Sequence, residues 1–321
     1  RRSALRASPP RNAKEASTAA AAHAAPQSPT RSWKARSRAD GDRRFAKVSE
    51  AAARAGESPT PGEAQGRRAP IVWVIALTVL AIAAALVLPP VSQPLDYHDF
   101  ADQRHAHGID NFLDVVSNAA FLVFGVMGLF IVGKGRACFE RPVERWPYVI
   151  FFVGLVLTAA GSGYYHLDPN NETLFWDRLP MTIAFMGLVA SQVVDRISVR
   201  AGLVLLPPAL LIGVASVIYW LITERLGAGN VIPYGILQAY TILVVLLLAI
   251  VNPSRYTRGS DIYWVFAWYA LAKVLETFDL QVLEFSGLVS GHTLKHFAAA
   301  FAGFSVCRML LKRTLRETGR D

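Results

Sequence analysis

Apolar residues gather into eight long runs along the chain, and short polar or basic segments separate them. Each run is close in length to the roughly 20 residues that a helix needs to cross a bilayer core of about 30 Å. The runs lie at 70–90, 112–133, 146–166, 176–195, 201–222, 232–251, 261–279 and 287–311. This pattern predicts an all-α, polytopic membrane helix bundle with eight transmembrane helices.

The two ends of the chain differ in composition from the apolar part. Residues 1–69 are rich in Ala, Arg, Ser and Pro and hold hardly any large apolar residue, so they cannot bury enough surface to offset the entropy of ordering. We therefore expect a disordered basic tail over 1–69, a transmembrane domain over 70–311 and a short cytoplasmic basic tail over 312–321.

Composition and charge support a membrane protein and indicate its orientation. Hydrophobic residues make up 53% of the chain, and its mean hydropathy of +0.31 is too high for an ordinary soluble domain. The net charge is +9, but Lys and Arg collect in the tails and in every second connection, so the basic excess indicates membrane orientation and no nucleic-acid partner. Both termini are predicted to be cytoplasmic. With Cys138 and Cys307 as the only cysteines, no disulfide framework is expected.

Three histidines lie at the same end of otherwise apolar runs. His166 closes the third run, and His292 and His296 open the eighth, so all three fall in the outer, non-cytoplasmic half. An ionisable group inside a membrane is retained mainly where a partner or a function offsets its cost. His292 and His296 are four residues apart and project from one helix face, so one ion can bind both. The histidines therefore predict a buried zinc site.

Two further polar residues fall at the depth of these histidines. Ser162 lies one turn deeper than His166 in the third run, and Asp177 opens the fourth run. Three imidazoles leave a tetrahedral zinc ion a fourth position for water, whose pKa the ion lowers to about 7. The set therefore predicts a hydrolytic nucleophile at neutral pH. Simpler interpretations stay open, because Ser162 can be a packing residue beside Gly161 and Gly163, and Asp177 can cap its helix.

Four short segments together resemble a known family. They are Asp114-Val115-Val116-Ser117-Asn118, Gly161-Ser162-Gly163-Tyr164-Tyr165-His166, Asp177-Arg178-Leu179-Pro180-Met181 and Gly291-His292-Thr293-Leu294-Lys295-His296. The chain resembles the alkaline ceramidases, within a wider group of seven-helix membrane hydrolases that also contains the adiponectin and progestin receptors and the haemolysin III proteins. The resemblance covers residues 95–311 and makes the helix at 70–90 an addition to a seven-helix core.

The resemblance implies an activity and roles for the site residues. The expected reaction is hydrolysis of the amide bond of ceramide or a related N-acyl lipid to a free fatty acid and an amine-bearing lipid base, with His166, His292 and His296 holding zinc. Asp177 would deprotonate the water and protonate the leaving amine, and Ser162 would donate to the developing oxyanion. The pocket is expected to open toward the outer leaflet.

A second metal ion is implied by the same resemblance. In family members of the eukaryotic type, carboxylate and amide oxygens of the acidic segment before the first core helix hold a structural calcium ion, and the resemblance implies the same here. Asp96, Asp99 and Asn111 match that pattern best, although Ala101 stands at an expected ligand position. A structural calcium site is therefore expected there.

Charged residues near the outer ends of the last two runs need partners of their own. Lys273, Glu276 and Asp279 follow each other at intervals of three residues, which predicts an internal salt bridge between Lys273 and Glu276. Asp279 lies near the outer surface, where it is solvated or assists the acidic site. Lys295 stands where relatives tend to carry an apolar residue, about 60° around the helix from His292, and we expect it to snorkel to the membrane surface.

The same residues leave other functions open. A zinc-containing receptor or sensor of the adiponectin-receptor type shares the serine, aspartate and histidine pattern, and the segment from Asp96 to Asn118 favours the ceramidases over it. A b-type haem protein needs only two axial ligands and has no use for Asp177 and Ser162. A transporter is least favoured, since the helix interiors away from this cluster lack a continuous polar path.

Overall fold

The computed structural model describes residues 61–316, and of residues 61–70 it describes the backbone alone. This part of the chain consists of helices joined by loops and holds no β-strand, so the predicted all-α class is confirmed. The α-helices are α1 (Pro61–Val87), α2 (Phe112–Ser117), α3 (Ala119–Gly133), α4 (Trp146–Leu167), α5 (Asn171–Arg196), α6 (Val199–Arg225), α7 (Ile232–Val251), α8 (Ile262–Thr277), α9 (Asp279–Ser286) and α10 (Gly291–Lys312). Short 3₁₀ helices occur at Leu95–His98, Pro142–Arg145 and Gly259–Asp261.

Five helical segments within residues 61–316 are long and apolar enough to cross a membrane. They correspond to the second, third, fifth, sixth and eighth predicted runs and lie at Phe112–Gly133, Pro142–Leu167, Val199–Arg225, Ile232–Val251 and Gly291–Lys312. The eight-span prediction is not matched in full. The apolar stretch of α1, Ile71–Val87, is short, α8 has only 16 residues, and α5 carries charged residues at both of its ends.

The largest differences between predicted and observed helix limits concern the fourth and seventh runs. The fourth helix begins at Asn171 rather than at residue 176, since the side chain of Asn170 accepts hydrogen bonds from the backbone N–H of Glu172 (2.9 Å) and Thr173 (3.0 Å). The seventh run, predicted as one helix over 261–279, is divided into α8 and α9 around Phe278. A polar cap thus extends the fourth helix beyond its apolar residues.

The predicted tail over 1–69 extends mostly outside the described residues, but its last part does not. Residues 61–69 form the first turns of α1, upstream of the apolar run that starts at Pro70. The good helix formers Ala, Glu, Gln and Arg in this stretch favour a helix before the apolar run begins, whereas Gly62 and Gly66 oppose it. The boundary between tail and helix therefore lies at least as early as residue 61.

The closest packing in this bundle joins α4 to α5. At two glycines of α4 a Cβ atom would collide with the neighbouring helix: at Gly154 with the backbone of Ala184, and at Gly161 with the carbonyl oxygen of Trp176. Helix axes can approach this closely only where no side chain intervenes. As a result, the ends of α4 and α5 that carry His166 and Asp177 lie side by side.

The opposite end of the bundle is joined by a buried ion pair. Asp195, at the end of α5, accepts hydrogen bonds from Tyr148 Oη (2.6 Å) and from Arg313 Nη1 (2.8 Å), and both charged side chains are at most 3% exposed. The Arg313 guanidinium also lies 4.0 Å from the ring centroid of Tyr256. The predicted tail over 312–321 is therefore not a free basic tail at its start, while residues 317–321 lie outside the described part.

Candidate metal centre

Three buried imidazoles meet where the end of α4 and the start of α10 come together. His166, His292 and His296 are 1%, 6% and 3% exposed, and their ring centroids are 4.9 Å apart in each of the three pairs. One nitrogen atom of each ring lies within 4.8 Å of those of the other two. The group can therefore hold a metal ion, and it is the only such group of His, Cys, Asp and Glu among the described residues.

A hydrogen-bond chain from α2 fixes the orientation of His296. The Ser117 hydroxyl donates to the Asp114 carbonyl oxygen (3.0 Å), so Ser117 Oγ is free to accept the proton on His296 Nδ1 at 2.7 Å. A proton on Nδ1 leaves the lone pair on Nε2 for a metal ion. The Thr293 and Ser290 hydroxyls donate to the Asp114 carboxylate, which ties α2 to the start of α10.

The loop segment that precedes α2 holds His166 in place. Asn111 Nδ2 donates to the His166 carbonyl oxygen (2.9 Å), and the buried ring of Phe100 lies 4.6 Å from His166 and 4.4 Å from His292, measured between ring centroids. His166 Nδ1 is buried and has no hydrogen-bond partner. Since buried polar atoms are normally paired, this unsatisfied imidazole fits a centre that binds a cation.

Lys295 turns inward, and the prediction that it snorkels to the membrane surface is wrong. Its Nζ lies 2.8 Å from His292 Nε2 and 3.3 Å from Glu276 Oε1, and its side chain is 18% exposed. The predicted ion pair between Lys273 and Glu276 is present, but Glu276 thereby has two ammonium partners. The reason is proximity, because the carboxylate of α8 draws the ammonium of α10 into the bundle.

Asp177 and Ser162 lie on the wall of one cavity. Ser162 is 3% exposed, whereas Asp177 is partly exposed and its carboxylate lies beside the Ser162 hydroxyl. Asp177 occupies the second turn of α5, and Asn170 caps this helix, so Asp177 is not the cap. Its carboxylate is therefore available to the cavity.

This cavity adjoins the histidines and continues between the helices. Its volume of about 410 Å³ falls within the range of small-molecule pockets. The polar groups on its wall include Ser162, Asp177, Arg178, Glu276, Lys295 and His296. Deeper along the helices the wall is apolar and includes Leu188, Val245, Val265, Ala302 and Gly303. The arrangement combines a polar end with a long apolar interior.

Asp279 supports the backbone of the centre instead of assisting its chemistry. Its Oδ1 accepts from the His292 backbone N–H (2.6 Å) and its Oδ2 accepts from the Ala101 backbone N–H (3.0 Å). A carboxylate at the first turn of a helix satisfies unpaired donors and complements the helix dipole. Asp279 therefore positions the start of α10 and joins it to the loop segment that precedes α2.

The proposed calcium ligands lie in different surroundings. Asp96 and Asp99 are exposed in and beside the 3₁₀ helix Leu95–His98, whereas Asn111 is buried and uses its amide to donate to His166. Nearby, the Arg104 guanidinium bonds the carboxylate of Asp102 and holds its pKa below the usual value. The described contacts thus give Asn111 a role in supporting α4, and calcium binding stays a prediction.

Sequence reasoning gave no role to three residues that shape the centre: Phe100, Asp114 and Thr293. Phe100 covers two imidazoles, and Asp114 and Thr293 link α2 to α10. Asp114 and Thr293 stand in the segments that carry the family resemblance, and Asp114 is also an acidic residue inside an apolar run, one turn before Ser117. Phe100 carried no signal, because an aromatic residue in a loop has no periodic neighbours.

No model of a known protein family matches this chain, and no curated protein matches it. Its class is therefore defined by its own fold and site. Within residues 61–316 it is an all-helical protein with five apolar segments of membrane-spanning length and a buried group of three histidines that can hold a metal ion.

Proposed function

We propose that the protein is a zinc-dependent intramembrane hydrolase that cleaves the amide bond of ceramide or a related N-acyl lipid, releasing a free fatty acid and an amine-bearing lipid base. One observation carries the proposal: His296, one of three buried imidazoles that meet, lines a largely apolar cavity whose wall also holds Asp177 and Ser162. This combination suits a lipid whose polar bond must reach a metal centre while its chain stays in apolar surroundings.

The donor set suits zinc. Neutral imidazoles are preferred ligands of zinc, whereas magnesium and calcium prefer oxygen ligands. Ser117 supports this choice, since its hydrogen bond directs one nitrogen of His296 away from the centre. A bound zinc ion supplies a water whose pKa is lowered to about 7.

The side chains of the cavity wall perform the proton transfers and bind the substrate. Asp177 accepts the proton of the attacking water and passes it to the nitrogen of the leaving amine. Ser162 donates its hydroxyl proton to the oxygen of the amide carbonyl as charge develops there. The apolar wall along Leu188, Val245 and Gly303 accommodates the acyl chain.

The proposal includes an arrangement in the membrane. All eight predicted helices belong to the embedded bundle, with most of the charged residues near the ends of α5 buried among its neighbours, and the helices from α2 onward form a core similar to that of the alkaline ceramidases. The basic connections and both termini face the cytoplasm. The histidines then lie near the outer leaflet, from which the lipid enters sideways, and calcium bound near Asp96, Asp99 and Asn111 would stabilise the loop segment that precedes α2.

The test is an assay of the purified full-length protein with a panel of N-acyl lipids, with and without a zinc chelator. We expect release of fatty acid that stops with the chelator and returns with added zinc. His292→Ala should abolish both stoichiometric zinc and turnover. The matched control is His105→Ala, since His105 is an exposed histidine of the loop segment that precedes α2 and pairs with Asp110.

Other outcomes identify the competing functions. Stoichiometric zinc without cleavage of any N-acyl lipid would favour a receptor or sensor of the adiponectin-receptor type. A Soret band in the optical spectrum would indicate haem, although three rings 4.9 Å apart converge on one point, whereas axial haem ligands stand on opposite faces of a macrocycle. Full turnover in His292→Ala with zinc still bound would contradict the proposed ligands.

A further inference from the structure

The wall of the cavity carries more positive than negative charge. Three cationic side chains, Arg178, Lys273 and Lys295, line it together with two carboxylates, Asp177 and Glu276. A cation in surroundings of low dielectric is costly unless an anion or several hydrogen bonds compensate it. Because the Lys273 side chain is 56% exposed, the cations that face the interior are Arg178 and Lys295, and an anionic group of a lipid can pair with them.

Lys295 is the wall cation that contacts the histidines, and it has no carboxylate partner of its own. Its Nζ contacts Glu276, but that carboxylate also pairs with Lys273, so two ammonium groups share one negative charge. The other contact of Nζ is His292 Nε2, a neutral acceptor, at 2.8 Å. With its side chain only 18% exposed, Lys295 has little water to make up the difference.

A metal ion at the three histidines would leave Lys295 with fewer partners still. The lone pair on a histidine nitrogen cannot serve an ammonium group and a metal ion at the same time, and the two cations repel each other. If His292 were to bind the ion through Nε2, the Lys295 ammonium would have to leave that nitrogen. Because Lys295 lines the cavity beside His296, the space open to it is the cavity itself.

We infer that Lys295 is a specificity-determining residue that selects N-acyl lipids whose amine half carries a carboxylate next to the amide, as in N-acyl amino acids. This inference rests on the proposed amide hydrolysis. In the reaction the oxygen of water bonds to the carbonyl carbon, the C–N bond breaks, and the nitrogen takes the proton, giving a fatty acid and an amino acid. A carboxylate two bonds from the amide nitrogen can pair with an ammonium group that lies beside His292, whereas a more distant charged headgroup cannot reach it.

The experiment compares two amides that differ only in this charge. N-palmitoylserine carries a carboxylate where N-palmitoylserinol carries a hydroxymethyl group, and kcat/KM is measured for both with the zinc-loaded, full-length protein. We expect the wild type to prefer N-palmitoylserine about tenfold or more, the range of a charge-assisted hydrogen bond. Lys295→Met should reduce the ratio to about one, and Lys295→Arg should keep it. The matched control is Lys312→Met, at the exposed far end of α10.

A binding measurement separates this inference from the proposed hydrolysis. The sulfonamide analogues of the two amides are not cleaved, and their affinities are measured by displacement of a fluorescent fatty acid. Preference for the serine analogue that is lost in Lys295→Met supports charge selection even if no amide is cleaved, in which case the proposed function fails alone. An unchanged ratio in Lys295→Met overturns the inference, and so does a stronger preference for N-palmitoylphosphoethanolamine, whose charge is further from the amide.

Discussion

Ser117 contacts the candidate metal centre through a single hydrogen bond to His296. We expect Ser117→Ala to lower zinc affinity by about 10- to 100-fold, because a ligand imidazole without its supporting acceptor loses its fixed tautomer and orientation. Competition with a chromogenic chelator measures this. Ser216→Ala is the control, since the Ser216 hydroxyl is buried to a similar degree but donates only to the carbonyl oxygen of its own helix at Gly213. Equal zinc affinity in the two variants would contradict a supporting role for Ser117.

Asp177 belongs to the cavity wall and makes no contact that would hold a metal ion in place of the histidines. Asp177→Asn keeps the size of the side chain and removes its capacity to take a proton. It should retain stoichiometric zinc while kcat falls by about 10²- to 10⁴-fold, the usual contribution of a general acid or base. Metal analysis and the fatty-acid assay on the same preparation test this. A variant with wild-type kcat would remove the proton-transfer role.

At the scale of single residues, the sequence predicted which histidines belong to the site better than it predicted where a side chain points. The three histidines were found because helical spacing places His292 and His296 on one face, and their position in the runs gave the depth. The direction of Lys295 was not found, because a long side chain at a helix surface can point toward water or toward a neighbour. Only the position of Glu276 on α8 decides between the two.

Gly161 determines how closely α4 and α5 approach beside the centre. A methyl group there would overlap the carbonyl oxygen of Trp176. Overpacking of this kind typically costs about 1–3 kcal/mol, so Gly161→Ala should lower the thermal midpoint in detergent and reduce activity by moving Ser162 relative to Asp177.

The control for that variant lies two residues further along the same helix. A Cβ at Gly163 would have only an ordinary contact, 4.0 Å from the nearest atom, so Gly163→Ala changes helix propensity equally without crowding a neighbour. We expect it to match or exceed the stability of the wild type. A Gly161→Ala variant as stable as Gly163→Ala would show that the helices can separate without loss.

At the scale of helices, the length of an apolar run and the capping residues beside it predict different helix limits. The length of the apolar runs correctly predicted the central parts of α4, α6, α7 and α10, because apolar runs of this length usually form membrane-spanning helices. It failed for α5, where the Asn170 cap starts the helix before the apolar residues, and for the seventh run, where the chain breaks between α8 and α9. Local hydrogen bonds and packing decide such helix limits, and neither can be seen in the spacing of apolar residues along the sequence.

The two ends of the helix bundle carry different buried polar groups. At one end three imidazoles leave part of their hydrogen-bonding capacity unused, whereas at the other Asp195 and Arg313 form a buried ion pair with Tyr148. Arg196, in one of the basic connections that predicted orientation, donates to backbone carbonyls at this second end. The basic residues thus also stabilise the fold where the helices terminate.

Arg313→Met tests whether the second end is purely structural. Removing one partner of a buried pair leaves an uncompensated charge and typically costs about 3–5 kcal/mol. We therefore expect a clear loss of thermal stability with unchanged zinc per folded protein. Arg141→Met, at an exposed arginine of a basic connection, should change neither. Loss of zinc in folded Arg313→Met would mean that the two ends are coupled.

The sequence by itself determined the helical class, the position of most apolar spans and the ends of the runs at which the histidines occur, because periodicity and run length follow directly from residue order. The tertiary structure alone decided which side chains meet: Phe100 over the imidazoles, Asn111 on the α4 carbonyl and Lys295 against His292. The physical reason is that a one-dimensional pattern gives the face and depth of a residue, whereas its partner depends on how separate helices pack.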